Sequence, residues 1–230
     1  MMMSPNTRKG RAGPDPSMPM REEYMSDLVF YHAIQSRGAI VRWMLEEVGE
    51  PYETKLLDLR GGDARKPDYL AVNPQGKVPA IVHKGVATTE VAAICLYLAD
   101  AFPRAGLAIP VGDPRRGPYL RWAVFNASAI EPAMMDAKFP RREDPPPTAI
   151  GYRPLDVLLD IVAATVTRAP YLMGEQFTAA DVVIGSALRF GMAFGMMPQR
   201  EDLSAYVARL TAREAFRRAE EKDKAASSGA

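Results

Sequence analysis

Hydrophobic and polar positions first organise the chain at residues 28–31, Leu-Val-Phe-Tyr, a short apolar run that reads as a buried strand. A linker over 32–35 leads to Ser36, a residue type suited to capping a helix. Val41, Met44, Leu45 and Val48 then recur at helical spacing, and Gly49 supplies a stop. Beyond Pro51, residues 52–57 alternate as a second strand. Strand, helix and strand within about 30 residues is the length of a βαβ unit. The polar stretch 61–72 predicts a loop with a short helix. Residues 78–82 predict a strand, Lys84-Gly85 a turn, and 86–89 its hairpin partner. From Glu90, the residues Ile94, Cys95, Leu98 and Phe102 share one helical face, and Pro103 ends that helix.

The pattern changes after a Pro- and Gly-rich linker at 103–112. Asp113-Pro114 predicts a cap followed by proline at a first helical position, and the helix runs past Trp122 and Phe125 with a bend near Pro132. Residues 140–147 form a proline-rich loop. Leu155, Leu158, Leu159, Val162 and Val166 mark a further helix, ended by Pro170. Thr178-Ala179-Ala180-Asp181 is a variant capping box ahead of Val182, Val183 and Ile184, with the Asp181 carboxylate able to return a bond to the cap. The last elements lie between Leu203 and about Lys224. The expected architecture is an α/β domain over 27–102 and an all-α domain over 113–224, with tails at 1–26 and 225–230. The first tail holds four prolines, at 5, 14, 16 and 19, and almost no aliphatic residues. It is expected to be disordered, with Met25 as an alternative start.

Composition narrows the function classes. The 29 basic and 28 acidic residues nearly cancel, which excludes a chain-wide nucleic-acid footprint. One cysteine excludes an internal disulfide framework, and with two histidines it leaves too few soft ligands for a cysteine-based zinc site. No apolar run approaches the roughly 20 residues that span a bilayer. The expectation is a cytoplasmic protein acting on a small molecule or another protein, with no metal, nucleic acid or membrane partner. Cys95 lies on an apolar helix face and reads as structural. His32 reads as a loop residue, and His83 has no metal-ligand companions in sequence. Met192, Met196 and Met197 read as core, and Arg213, Arg217 and Arg218 as a solvated helix face.

Three local features carry candidate chemistry. Ser36-Arg37 opens a helix after a strand, where unpaired amides and a partial positive charge favour an anion. Ser36 either caps that helix or donates to a ligand anion. Arg37 either pairs with a ligand phosphate or carboxylate or solvates the helix end. Asn73-Pro74-Gln75-Gly76-Lys77-Val78-Pro79 leads into a strand. If the Val78–Pro79 bond is cis, the Val78 backbone turns toward a ligand; otherwise the segment is a plain loop-to-strand transition. Thr89-Glu90-Val91 starts the next helix. A carboxylate there either answers the helix dipole or holds a substrate ammonium beside free amides, a pair of groups suited to an amino-acid head group.

Together the stretches F-Y-H-A-I-Q-S-R-G-A-I-V-R-W-M-L-E-E-V-G, N-P-Q-G-K-V-P-A-I-V, T-E-V-A-A-I-C-L-Y-L-A-D and F-T-A-A-D-V-V-I-G resemble the cytosolic glutathione transferase family, in order and in spacing, from Leu28 to about Phe216. The resemblance implies a thioredoxin-like N-terminal domain, an all-helical second domain and a homodimer. It implies glutathione as co-substrate, attacking a small electrophile as its thiolate. Ser36 matches the serine that donates to the glutathione sulfur in the serine-type branch, with Tyr31 as second choice for that role. Val78 matches the residue whose backbone pairs with the cysteinyl part, Pro79 the cis proline, and Glu90 the acid that meets the γ-glutamyl end. Lys77 is a partner for the glycyl carboxylate. Trp122 and Asn126 lie on a helix that lines the electrophile pocket in the family, whereas periodicity alone makes them core. The family commonly has Glu-Ser where this chain has Glu90-Val91; Val91 offers a backbone N–H but no hydroxyl. The alternative reading is therefore a family-like binding or interaction protein without catalysis.

Overall fold

The computed structural model describes residues 27–143 and 145–228. The expectation for residues 1–26 lies outside the described residues. The chain begins with β1 (Leu28–His32), α1 (Gly38–Val48), β2 (Glu53–Leu56), a 3-10 turn (Asp63–Arg65), the short α2 (Pro67–Leu70), β3 (Ala80–His83), β4 (Val86–Thr89) and α3 (Val91–Ala101). The four strands form one mixed sheet in the order β2-β1-β3-β4, with β1 parallel to β2 and antiparallel to β3. This is the α/β thioredoxin-like arrangement. Helices then dominate: α4 (Arg116–Phe125), α5 (Glu131–Lys138), α6 (Leu155–Val166), α7 (Ala179–Ala193), α8 (Glu201–Thr211) and α9 (Glu214–Ser228).

Strand alternation decides which face of the sheet each residue joins. Along β1, Leu28, Phe30 and His32 are buried toward the helical core, while Val29 and Tyr31 are half-buried. Tyr31 belongs to the opposite side, a small cluster with Tyr69, Ala64 and Ala80 under α2. The large core gathers Phe30 with Val41, Met44 and Leu45 of α1, Ile94 and Leu98 of α3, and residues of α4, α6, α7 and α8. Cys95 is fully buried in it, which pushes its thiol far up. Met192 and Met197 are buried and Met196 packs against the same core.

Several boundaries differ from the sequence reading for local reasons. The cap of α1 is Arg37, not Ser36, although Ser36 Oγ still accepts the Gly38 N–H at 3.0 Å. Gly49 ends α1 in the left-handed region at φ 78°, its N–H on Leu45 O. Asp113 accepts the Arg115 N–H at 2.8 Å, so Pro114 sits in a turn and α4 starts at Arg116. The bend after α4 is a π turn over Asn126–Ile130, ahead of Pro132. α6 ends at Val166 and is capped by Thr167, short of Pro170. α9 continues through residues 225–228, which the sequence reading gave to a tail.

The capping box of α7 is present and fully buried. Asp181 Oδ2 accepts the Thr178 N–H at 2.9 Å and its hydroxyl at 3.2 Å. Asp181 Oδ1 accepts the Leu172 N–H at 2.9 Å and the Tyr206 hydroxyl at 2.7 Å. One carboxylate thus ties the start of α7 to α8 and to the preceding loop. Burial raises its pKa more than these bonds lower it.

Candidate functional site

The sheet topology brings the candidate residues to one end. β1 leaves the sheet at His32, β3 enters at Ala80, and β4 leaves at Thr89, with Tyr31 paired to Ala80 and Ala80 to Thr89. Ser36, the Val78–Pro79 bond and Glu90 all follow or precede these strand ends. The Val78–Pro79 bond is cis. Its approach is held by Asn73, whose Nδ2 donates to Lys77 O at 2.7 Å, and by the Tyr69 hydroxyl, which donates to the same carbonyl. Lys77 itself is exposed, and Val78 packs against the cluster under α2.

Glu90 is the cap of α3 and not part of its first turn. Its φ of 68° and ψ of 120° place a non-glycine residue in a sparsely populated region, the kind of strain that surrounding structure must hold. Gln75 Nε2 donates to Glu90 Oε1 at 3.1 Å, joining the loop before Pro79 to the start of α3. The sequence reading missed Gln75; the only signal was its place two residues before Lys77. The first intrahelical bond at this end runs from Ile94 N–H to Glu90 O. The amides of Val91, Ala92 and Ala93 therefore come before the α3 ladder begins.

Ser36 is half-buried between Gln35, whose φ is 58°, and the start of α1. Its hydroxyl donates to Ala33 O at 2.5 Å. Beside it opens a cleft of about 750 Å³ between α1, the end of α7 and α9. Its apolar walls come from Ile34, Ile40, Trp43, Phe190, Phe194 and Phe216. The Phe190 and Phe194 rings lie 4.5 Å apart, with Phe194 largely exposed at the rim. Charge comes from α7 and α9, where Arg189 reaches Glu220 at 2.5 Å and Asp223 and Lys224 also line the wall.

α9 is fixed over α1 by ion pairs that the sequence did not reveal. Arg213 grips Glu47 through two bonds of 2.6 and 2.8 Å. Arg218 lies 3.2 Å from Glu46 Oε2, and Lys222 pairs with the same carboxylate. Arg42 Nε lies 2.5 Å from Asp223 Oδ1. Arg213 and Arg218 are thus clamps and not a solvated face; Arg217 bonds only to Ala212 O at 3.0 Å. Burial pushes the Glu46 carboxyl up, but bonds from Lys222 and Tyr52 and the Lys222 charge outweigh it, and the group sits below its ordinary range. Burial, together with the same carboxylate, pushes the Tyr52 phenol far up.

The glutathione S-transferase N-terminal domain model matches residues 38–101. Glutathione S-transferase GstA of Escherichia coli O157:H7 is 29% identical over 177 residues, covering 74% of this chain and 85% of that protein. The bacterial transferase BphK, solved as a ternary complex, superposes with a TM-score of 0.72 at 28% identity, over 85% of this chain and 99% of that one. Residues 38–101 thus match the glutathione S-transferase N-terminal domain, and the chain has the glutathione transferase fold. A sphingomonad glutathione S-transferase, solved complexed with glutathione, superposes at 0.69 and 25% identity, over 85% of this chain and 98% of that one. No helix among the described residues is long and apolar enough to cross a membrane.

Not every expected residue reaches the Ser36 cleft. Tyr31 lies on the α2 side of the sheet, its ring 5.5 Å from that of Tyr69, across the strand from the α1 side where His32 points. Trp122 is buried in the core with its ring 5.6 Å from Phe125, and Asn126 is buried at the π turn with Oδ1 unpaired among the described residues. Neither lines the cleft; its walls come from α1, α7 and α9. Arg37 is exposed and paired with Glu131. His32 ends β1 and is fully buried, and is not a loop residue.

Proposed function

We propose that the protein is a glutathione transferase, conjugating the glutathione thiolate to small electrophiles, with Ser36 as the sulfur donor. The observation that carries this reading is the placement of Ser36 at the start of α1, facing an apolar cleft, at the sheet end that also holds Val78 and Glu90. The glutathione bound by the sphingomonad relative supports the ligand. A free thiol with pKa about 8.5 is a few per cent thiolate at neutral pH. Lowering it by two units takes about 2.7 kcal/mol. A hydroxyl bond to the anion contributes about 1.5–3 kcal/mol and a helix start about 0.3–1. Ser36 therefore need be neither base nor nucleophile. Its hydroxyl must turn from Ala33 O toward the sulfur, while the Gly38 N–H continues to hold Oγ.

In this reading the Val78 backbone meets the cysteinyl part, beside the cis Pro79, and the strained Glu90 with the Val91 amide meets the γ-glutamyl end, Gln75 holding the Glu90 carboxylate in place. Lys77 answers the glycyl carboxylate. The electrophile enters the α1/α7/α9 cleft. A homodimer, carried by the resemblance, and a cytoplasmic setting without metal, carried by composition, complete the reading. Ser36→Ala is expected to raise the bound-thiol pKa and lower turnover of a chloronitroaromatic substrate about tenfold or more at neutral pH. An unchanged pH–rate profile in that variant overturns the role. The second reading, binding without catalysis, rests on Val91, which supplies no hydroxyl at the start of α3. Calorimetry that detects glutathione alongside an activity screen that detects no turnover would select it.

A further inference from the structure

His32 is the one fully buried histidine among the described residues, and the chemistry proposed above leaves it unused. Its ring stacks on Phe30 at 5.0 Å and its Nε2 meets Asp223 Oδ1 of α9 at 3.1 Å. A carboxylate only accepts, so this contact makes Nε2 the donor. Nδ1 has no partner among the described residues. It faces the first turn of α1: a β-carbon built on Gly38 would lie 2.1 Å from His32 Nδ1 and 3.1 Å from Ser36 Oγ. The space that any side chain at position 38 would occupy is thus the gap between imidazole and hydroxyl. Asp223 also lines the cleft that Ser36 faces.

We propose that His32 and Asp223 are positioning residues for Ser36, through which the C-terminal helix sets the place of the sulfur donor. Arg42 supplies the cation of the Asp223 carboxylate, and His32 supplies the N–H. The imidazole so fixed props the Gly38 turn, and the Gly38 N–H in turn holds Ser36 Oγ. Removing Asp223 frees the ring, loosens that turn and weakens the donation to sulfur. The other charged groups around the cleft are Arg189 of α7 with Glu220 and Lys224 of α9; on the far side of the α1 start Arg37 is held by Glu131.

The inference rests on the proposed role of Ser36, and the experiment separates the two. Glutathione is bound to the full chain and the pKa of its thiol is read from thiolate absorbance across pH, in the parent and in D223A, D223N, G38A and R218A. The parent must show a lowered thiol pKa; if it does not, the role of Ser36 falls and this proposal with it. Given that, D223A and G38A are expected to raise the thiol pKa by about one unit, a roughly threefold loss of thiolate at neutral pH for a bound thiol held two units below 8.5. D223N keeps an acceptor for Nε2 and is expected to recover most of the shift. R218A cuts an α1–α9 pair away from His32 and is expected to match the parent. A thiol pKa in folded, glutathione-binding D223A equal to the parent's overturns the proposal, and so does an equal shift in R218A, which would mean general loosening of α9.

Discussion

Two buried acidic clusters hold the helical part of the molecule, and they are built in opposite ways. Asp181 is satisfied by backbone N–H groups and hydroxyls, with no cation in contact: Thr178, Leu172 and Tyr206 supply every bond. Glu46 and Glu47 each accept one neutral donor, from Tyr52 and Trp43, but are held mainly by cations: Arg213 just ahead of α9, and the half-exposed Arg218 and Lys222 on it. The first cluster is internal to the core of one domain; the second joins the sheet domain to the last helix. The neutral donors fix a rigid joint inside the core. The ion pairs fasten a helix that also walls the cleft, and exposed cations release more readily than buried donors.

The largest expected effect is on the rigid joint. Asp181→Ala strands several buried donors at once and should cost about 4 kcal/mol, measured as a lowered urea midpoint. Glu46→Gln should cost about 1–2 kcal/mol by the same measurement, because its cations regain water. A D181A effect no greater than that of E46Q would erase the contrast.

Acid should separate the clusters by sign. The Glu46 carboxyl is lowered from its ordinary 4.5, so its contribution is full above that pH and is lost as pH falls through the folded value. The Asp181 carboxyl is raised from 3.8, so the folded chain holds that proton more tightly and its contribution falls as pH rises through the same region. Acidification should therefore speed hydrogen exchange in α9 before α7, whereas simultaneous loss would show one cooperative unit. The smallest effect is expected at Arg37→Ala. Its pair with Glu131 is solvent-facing, and thermal unfolding should shift by no more than about 0.5 kcal/mol.

The same contrast explains what could be read in advance. Thr178 and Asp181 are three residues apart, and a helix start fixes their geometry, so the box was visible as a local motif. Arg213 and Glu47 are 166 residues apart, and Lys222 and Glu46 are 176 apart; spacing carries no information about such pairs. With its partner helix unknown, α1 looked amphipathic, although Arg42 and Glu46 are nearly as buried as Val41. The sheet end was legible because it follows from short-range strand, turn and helix order. Alternation also carries the face of Tyr31: with Phe30 in the core, its neighbour has to face the other way. Trp122 and Asn126 entered through family resemblance, and helix spacing alone had already put them inside. Gln75 carries no pattern of its own, since its role depends on where the turn delivers it.

The α1–α9 seam also has a consequence for the order in which the molecule is made. During synthesis the sheet and α1 emerge early, while their clamps arrive some 170 residues later, as for Glu46 and Arg218, 172 apart. A nascent chain can form its strands and the loop before Pro79, yet it holds an open cleft and bare acids on α1 until α9 leaves the ribosome. Long-range closure of this kind is slow relative to local helix formation. The wall of the cleft is therefore completed long after the sheet end that it adjoins.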